Sequence, residues 1–230
     1  MTGMKLKKIT LRPITILIVI LLLQMVFAPV SLVLADTQSN QTQLLSLNSF
    51  AASVQNANPY QITGIYVQDV MAFPVVQQPS GQAGYVSSQN SAVTQFGLAS
   101  NYGSIGILAH NYLAGAQFFN ITSGAIISLV YGNGHVEYYK VTVVKQYQAL
   151  SPNSVYSQFV NLVQPDVTLS STDLFYQTYG LGKVLVLQTC ILANNDPSWG
   201  RHFIIAEPFE YLPVAPVRSS ISESDIRIRF

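Results

Sequence analysis

The sequence predicts a mainly β fold, a mostly antiparallel barrel or sandwich with short helices in its loops. Three observations predict it. Short β-branched and apolar runs recur between residues 62 and 207. An Asn-Gly turn joins two of them. The strand–helix–strand alternation of a parallel α/β sheet is missing.

The elements follow in chain order. Lys5, Lys7, Lys8 and Arg12 precede an almost wholly apolar run from Ile14 to Leu34. Residues 1–35 therefore read as a signal peptide or an amino-terminal membrane anchor. Val33-Leu34-Ala35 suits cleavage before Asp36, yet the run is also long enough to cross a bilayer. Either way the remainder is expected outside the cytoplasm, anchored by this segment or secreted if cleaved after Ala35. Residues 36–58 are polar, and the weak stripe of Leu44, Leu45, Leu47, Phe50 and Val54 allows a short helix within a stalk.

Residues 59–212 form the expected catalytic or binding domain, and 213–230 a tail of unassigned structure. Ile62–Val67 and Val70–Val76 read as strands, Gly64 and Pro74 marking an edge or a bulge. Residues 77–90 read as a long loop, and Ile105 to Ala109 as a short buried strand. Ala125–Tyr131 and His135–Tyr147 flank Gly132-Asn133-Gly134, a hairpin signal. Ser154 to Gln164 carries apolar residues at helical spacing, and Ser171 to Tyr179 suggests a second short helix. Lys183 to Cys190 and Arg201 to Glu207 return to strand.

Composition narrows the function. Charged residues make up 9% of the chain and hydrophobic ones 49%, which excludes a disordered protein. Four of the 11 basic residues and none of the 10 acidic ones precede residue 36, leaving a formal −3 beyond it. Such a surface has no reason to bind nucleic acid. The one cysteine excludes an internal disulfide and a Cys-based zinc site. The loops hold few carboxylates, so neither a calcium site nor any other metal or cofactor is expected.

Nucleophilic thiol chemistry needs a thiolate, a proton donor and acceptor, and a group that stabilises an oxyanion. Cys190 reads as the last residue of a strand, facing a polar loop. His110, followed by Asn111, ends another buried strand. His135 sits beside a hairpin turn and His202 inside a strand, which leaves His110 as the preferred base. Arg201 begins the strand after the loop that follows Cys190. Between Lys145 and Arg218 it shares the chain with one other basic residue, Lys183. A cysteine held at a strand edge beside a loop is both rigid and accessible.

The segments Ile107-Leu108-Ala109-His110-Asn111, Leu187-Gln188-Thr189-Cys190 and Gly200-Arg201-His202-Phe203-Ile204-Ile205-Ala206 resemble the signature strands of the sortase family. The resemblance spans roughly residues 60–208. It departs at Val186, where the family's Thr-Leu-x-Thr-Cys pattern begins with Thr. It implies a sortase-type antiparallel β-barrel with short helices in the loops, and an extracytoplasmic cysteine transpeptidase. Cys190 would attack the Thr–Gly carbonyl of an LPxTG-like sorting signal. His110 would shuttle the proton and Arg201 would bind the oxyanion or substrate backbone. Thr189 and Asn111 would contact substrate. The implied partners are exported proteins bearing the sorting signal, and a cell-wall precursor or pilin amine as acceptor. An L,D-transpeptidase is disfavoured because Leu192, not Arg, stands two residues after the cysteine. A papain-like enzyme would place its cysteine ahead of its histidine. The alternative from another class is a non-catalytic exported adhesion or wall-binding β-domain.

Overall fold

A computed structural model describes residues 44–210. The readings for 1–35 and 213–230 lie outside the described residues. Among those described, no helix is long and apolar enough to cross a membrane.

In chain order the elements are α1 (Leu47–Ser53), β1 (Ile62–Val67), β2 (Met71–Gln77), β3 (Val93–Phe96), α2 (Gly97–Ser100), β4 (Ile105–Leu108), a 3₁₀ turn (Ala114–Asn120), β5 (Ile126–Tyr131), β6 (Val136–Ala149), β7 (Gln158–Asn161), β8 (Thr168–Ser170), α3 (Ser171–Tyr179), β9 (Leu185–Ala193) and β10 (Asp196–Pro208). The strand order β10-β9-β4-β3-β2-β1-β5-β6 closes through a β6–β10 pairing. The result is an eight-stranded barrel, with β7 and β8 continuing outward from β6. Closure removes the exposed sheet edges that invite aggregation. Two neighbour pairs, β2–β3 and β4–β9, are parallel.

Alternation along the strands sends one set of side chains inward. Ile65, Met71, Val93, Ile107, Ile127, Leu129, Leu185, Leu187 and Ile204 fill the barrel. On the outer face of β9 and β10 a second core forms from Tyr147, Phe159, Leu174, Tyr179, Val186, Phe203 and Ile205. Strands covered on both faces read as continuous apolar runs. That is why Val184 to Leu187 and Phe203 to Ala206 show no alternation and were recognisable as buried.

Several expectations hold. The 131–135 hairpin closes with Tyr131 N–H donating to His135 O at 2.8 Å, and Gly134 takes a φ of +85°. The irregularity expected at Gly64 is a register shift in β1 against β5. Ser171–Tyr179 is helical, its Ser170 hydroxyl accepting from Asp173 N–H.

Three expectations are corrected. Residues 158–161 of the supposed 154–164 helix are strand β7. The apolar residues there do not share one face: Phe159 is buried, while Val155 and Val163 are 78% and 82% exposed. A free edge on the far end of β6 recruits the segment, with Tyr147 opposite Asn161 and Ala149 opposite Phe159. Second, the helix expected within a polar stalk packs on the barrel. Phe50 is 3% exposed and clusters with Tyr66 and Val130. A Cβ at Gly64 would come within 2.8 Å of its ring. Third, β9 and β10 are longer than expected. Asn194 and Asn195 both adopt positive φ, 51° and 61°, and form a two-residue hairpin turn rather than a loop. Cys190 is therefore inside β9 and not its last residue.

Candidate active site

The register places the predicted residues. Arg201 on β10 is the direct antiparallel partner of Cys190 on β9. On the other side β4 runs parallel to β9, with Ile107 opposite Leu187 and Leu108 opposite Gln188. Hydrogen bonds continue this contact past the end of β4. Ala109 N–H donates to Gln188 O at 3.2 Å, and Thr189 Oγ1 donates to Ala109 O at 2.8 Å. Cys190 and Arg201 thus lie on one rung of the β9–β10 ladder, and the chain that continues β4 on the other side of β9 carries His110.

Parity sets the face. Leu185 and Leu187 point into the barrel, so Val186, Gln188 and Cys190 point outward. On β10, Ile204 and Ala206 point inward, so Arg201 shares the outer face with Phe203 and Ile205. His110, Cys190 and Arg201 are all half-buried. Beyond Leu108 the β4 ladder has ended, and the 3₁₀ turn packs against β9 instead.

Arg201 is held without a carboxylate. Its Nη1 donates to Ser198 O at 2.8 Å and Gly200 O at 2.9 Å, and its Nη2 to Pro152 O at 3.1 Å. The guanidinium lies 5.9 Å from the Phe159 ring centre. Among the described residues the acid–base pair within 4.0 Å is His135–Glu137, at the other end of the barrel. Neutral carbonyls fix the fork, which reaches Pro152 beyond the end of β6 and the Phe159 ring on β7.

His110 stacks on Tyr112, with ring centres 5.2 Å apart and planes 20° from parallel. Its backbone is fixed from two sides. Leu113 and Gly115 N–H groups both donate to His110 O at 3.0 Å. A Cβ at Gly115 would strike Thr189 Oγ1 and come within 2.7 Å of the His110 carbonyl. Only glycine permits so close an approach. Asn111 Nδ2 donates to Pro197 O at 2.9 Å, tying this loop to the start of β10.

The structure does not place Thr189 on the outer face with Cys190. It is 2% exposed, on the inward face, and its hydroxyl is spent on Ala109. A substrate contact through its side chain is replaced by a role in joining two strand ends. The side chain of Asn111 is likewise engaged with Pro197. The other histidines lie elsewhere. His202, 3% exposed inside the barrel, meets Gln146 Nε2 through Nδ1 at 3.0 Å and packs on Phe119. Burial lowers its pKa below 6.5, with an interaction with the Phe118 backbone pulling partly the other way.

Sequence reasoning missed one polar side chain on the outer face. Gln188, two residues before Cys190, accepts a 2.7 Å hydrogen bond from the Tyr179 hydroxyl. The signal was the interruption of Val184 to Leu187 by an amide. A cavity of about 850 Å³ lies at the opposite mouth of the barrel, bounded by Ile105, Glu137, Tyr139, Lys183 and Phe209. Among the described residues no three His, Cys, Asp or Glu side chains gather as a metal site.

No protein-family model and no curated protein matches the chain. Solved structures do. Sortase A from Corynebacterium diphtheriae is 13% identical with a TM-score of 0.44, over 70% of this chain and 66% of that one. Streptococcus agalactiae sortase C1 is 14% identical with a TM-score of 0.42, over 72% and 83%. Listeria monocytogenes sortase A is 12% identical with a TM-score of 0.39, over 65% and 88%. Each is a sortase, the family that the three strand segments resemble, and likeness at this level concerns the course of the backbone alone.

Proposed function

We propose that this chain is a sortase-like cysteine transpeptidase. The observation that supports the reading is the strand order: Cys190 lies opposite Arg201 on β10, and the chain that continues β4 on its other side carries His110. In this reading Cys190 Sγ, as thiolate, attacks the carbonyl between Thr and Gly of an LPxTG-like sorting signal. Arg201 stabilises the negative oxygen of the tetrahedral intermediate or holds the substrate backbone. His110 gives a proton to the departing glycine amine, and a thioester joins Cys190 to the acyl half. His110 then removes a proton from an incoming amine, which displaces the sulfur as thiolate and restores the starting pair. The acyl donors are exported proteins bearing the signal, and the acceptor is a cell-wall or pilin amine. Water in place of the amine gives hydrolysis.

The test is mass spectrometry of the protein mixed with an LPxTG-type peptide and an amine. The expected product is the acyl half of the peptide joined to the amine, with Cys190→Ala giving none. Equal product from Cys190→Ala, or none from the folded wild type across a panel of such peptides, overturns the proposal.

A further inference from the structure

Resting on that reading, we propose that Gln188 reads the substrate: its carboxamide selects a hydrogen-bond acceptor on the acyl side of the scissile bond. Val184, Val186 and Gln188 succeed one another on the outer face of β9 ahead of Cys190. The first two are buried apolar residues of the second core. Gln188 is half-buried between Leu108 on β4 and Phe203 on β10, both apolar, so its polarity there needs a cause. An amide in such a position is costly unless its groups are bonded.

Half of it is bonded. Tyr179 is 2% exposed, packed edge-on against Phe96 and Phe203, and burial raises its pKa far above the usual phenol range. The phenol therefore keeps its proton and must donate it. Among the described residues its acceptor is Gln188 Oε1. The 2.7 Å separation suits an O–H···O bond, with the amide oxygen toward Tyr179. The amino group then faces away from the core. It has no acceptor within the described residues, and it is not among the polar atoms sealed from solvent. A donor pair is thus locked in place on the thiol's own face.

The distance suits a peptide subsite. Two residues of strand separate Gln188 from Cys190 by about 6.8 Å, the spacing of two residues in an extended peptide. The leaving amine must depart, and its replacement arrive, through open solvent. In this proposal the acyl half lies over Gln188, the next outward side chain along β9, and the amine on the other side of the sulfur. The selected chemistry is a carboxamide, carboxylate or hydroxyl about two residues before the scissile bond. An aliphatic side chain of equal size would leave the amide unpaired.

The experiment compares acylation of Cys190 by LPxTG-type peptides differing in one isosteric pair at each of the three positions before the scissile bond: Asn against Leu, and Thr against Val. At one position the acceptor-bearing member is expected to react faster by about three- to tenfold, the worth of one net hydrogen bond. Gln188→Leu with Tyr179→Phe removes both partners, strands no buried hydroxyl, and is expected to abolish or invert that preference. Tyr179→Phe alone keeps the ring and is expected to shrink the ratio, a readout that loss of stability alone does not move. Acylation with no preference at any position, or a preference unchanged in the double variant, overturns the role of Gln188 and leaves the transpeptidase reading standing. Failure of every peptide to acylate Cys190 overturns both.

Discussion

Cys190 carries the chemistry only through its neighbours, and those neighbours differ in kind. Arg201 is fixed by three backbone carbonyls, and among the described residues no carboxylate pairs with it. A lysine keeps the charge but cannot make the forked contacts. Arg201→Lys is therefore expected to lower the acylation rate by about 10²–10³, the typical cost of losing one oxyanion donor. His110→Ala is expected to lower turnover by about 10²–10⁴ as the proton shuttle is lost. His110→Ala should melt close to the wild type, since that side chain is only half-buried. Rates for peptide transfer, measured beside thermal melts, check this. A wild-type rate in Arg201→Lys would make that residue a purely structural clamp. The residue types of the site were readable in the sequence. What was not readable was that Thr189 faces inward, because strand parity at its position depends on which face of β9 meets the barrel interior.

At the scale of elements, the site depends on the loop after β4. His110 lies beyond the last β4 ladder pair, so its position comes from the bonds around Ala109 and from the 3₁₀ turn pressed against Thr189. Gly115→Ala forces these apart. Because an error of about 1 Å in placing a catalytic group costs on the order of 10²-fold, acylation should fall that far while the barrel stays folded. Far-ultraviolet circular dichroism with the acylation rate tests this; an unchanged rate would mean that His110 is held by other means. Most strands were legible because their apolar runs are continuous or alternating. β7 was not, since its pairing is dictated by the free edge of β6 and not by its own pattern. The Asn194-Asn195 turn was misread because only the positive φ at both residues reveals a hairpin. The parallel β4–β9 pairing and the Thr189–Ala109 bond join residues 80 positions apart, which no local pattern encodes.

For the whole molecule, the closed ring buries His202 inside the barrel. His202 is neutral there because burial lowers its pKa below 6.5. The unfolded chain takes up a proton near pH 6.5 and the folded chain does so at lower pH. Between those values the unfolded state binds more protons, so stability rises with pH and is lost as the pH falls through 6.5. The melting temperature should drop between pH 7.5 and 5, and His202→Gln should reduce that slope. An equal slope in the variant would assign the acid sensitivity to other groups. The barrel class was legible from the runs and turns, whereas its closure through β6 and β10 follows from the length of β6, whose 14 residues serve β5, β7 and β10 in turn.

The central claim is that the thiol on this rung becomes acylated. The direct measurement is the intact mass of the protein quenched in acid seconds after mixing with an LPxTG-type peptide and no amine. The account predicts an added mass equal to the acyl half of the peptide, lost on adding hydroxylamine and mapped by digestion to the fragment containing Cys190. An unmodified mass at every time point while the peptide is cleaved, or an adduct mapped to another residue, would contradict it.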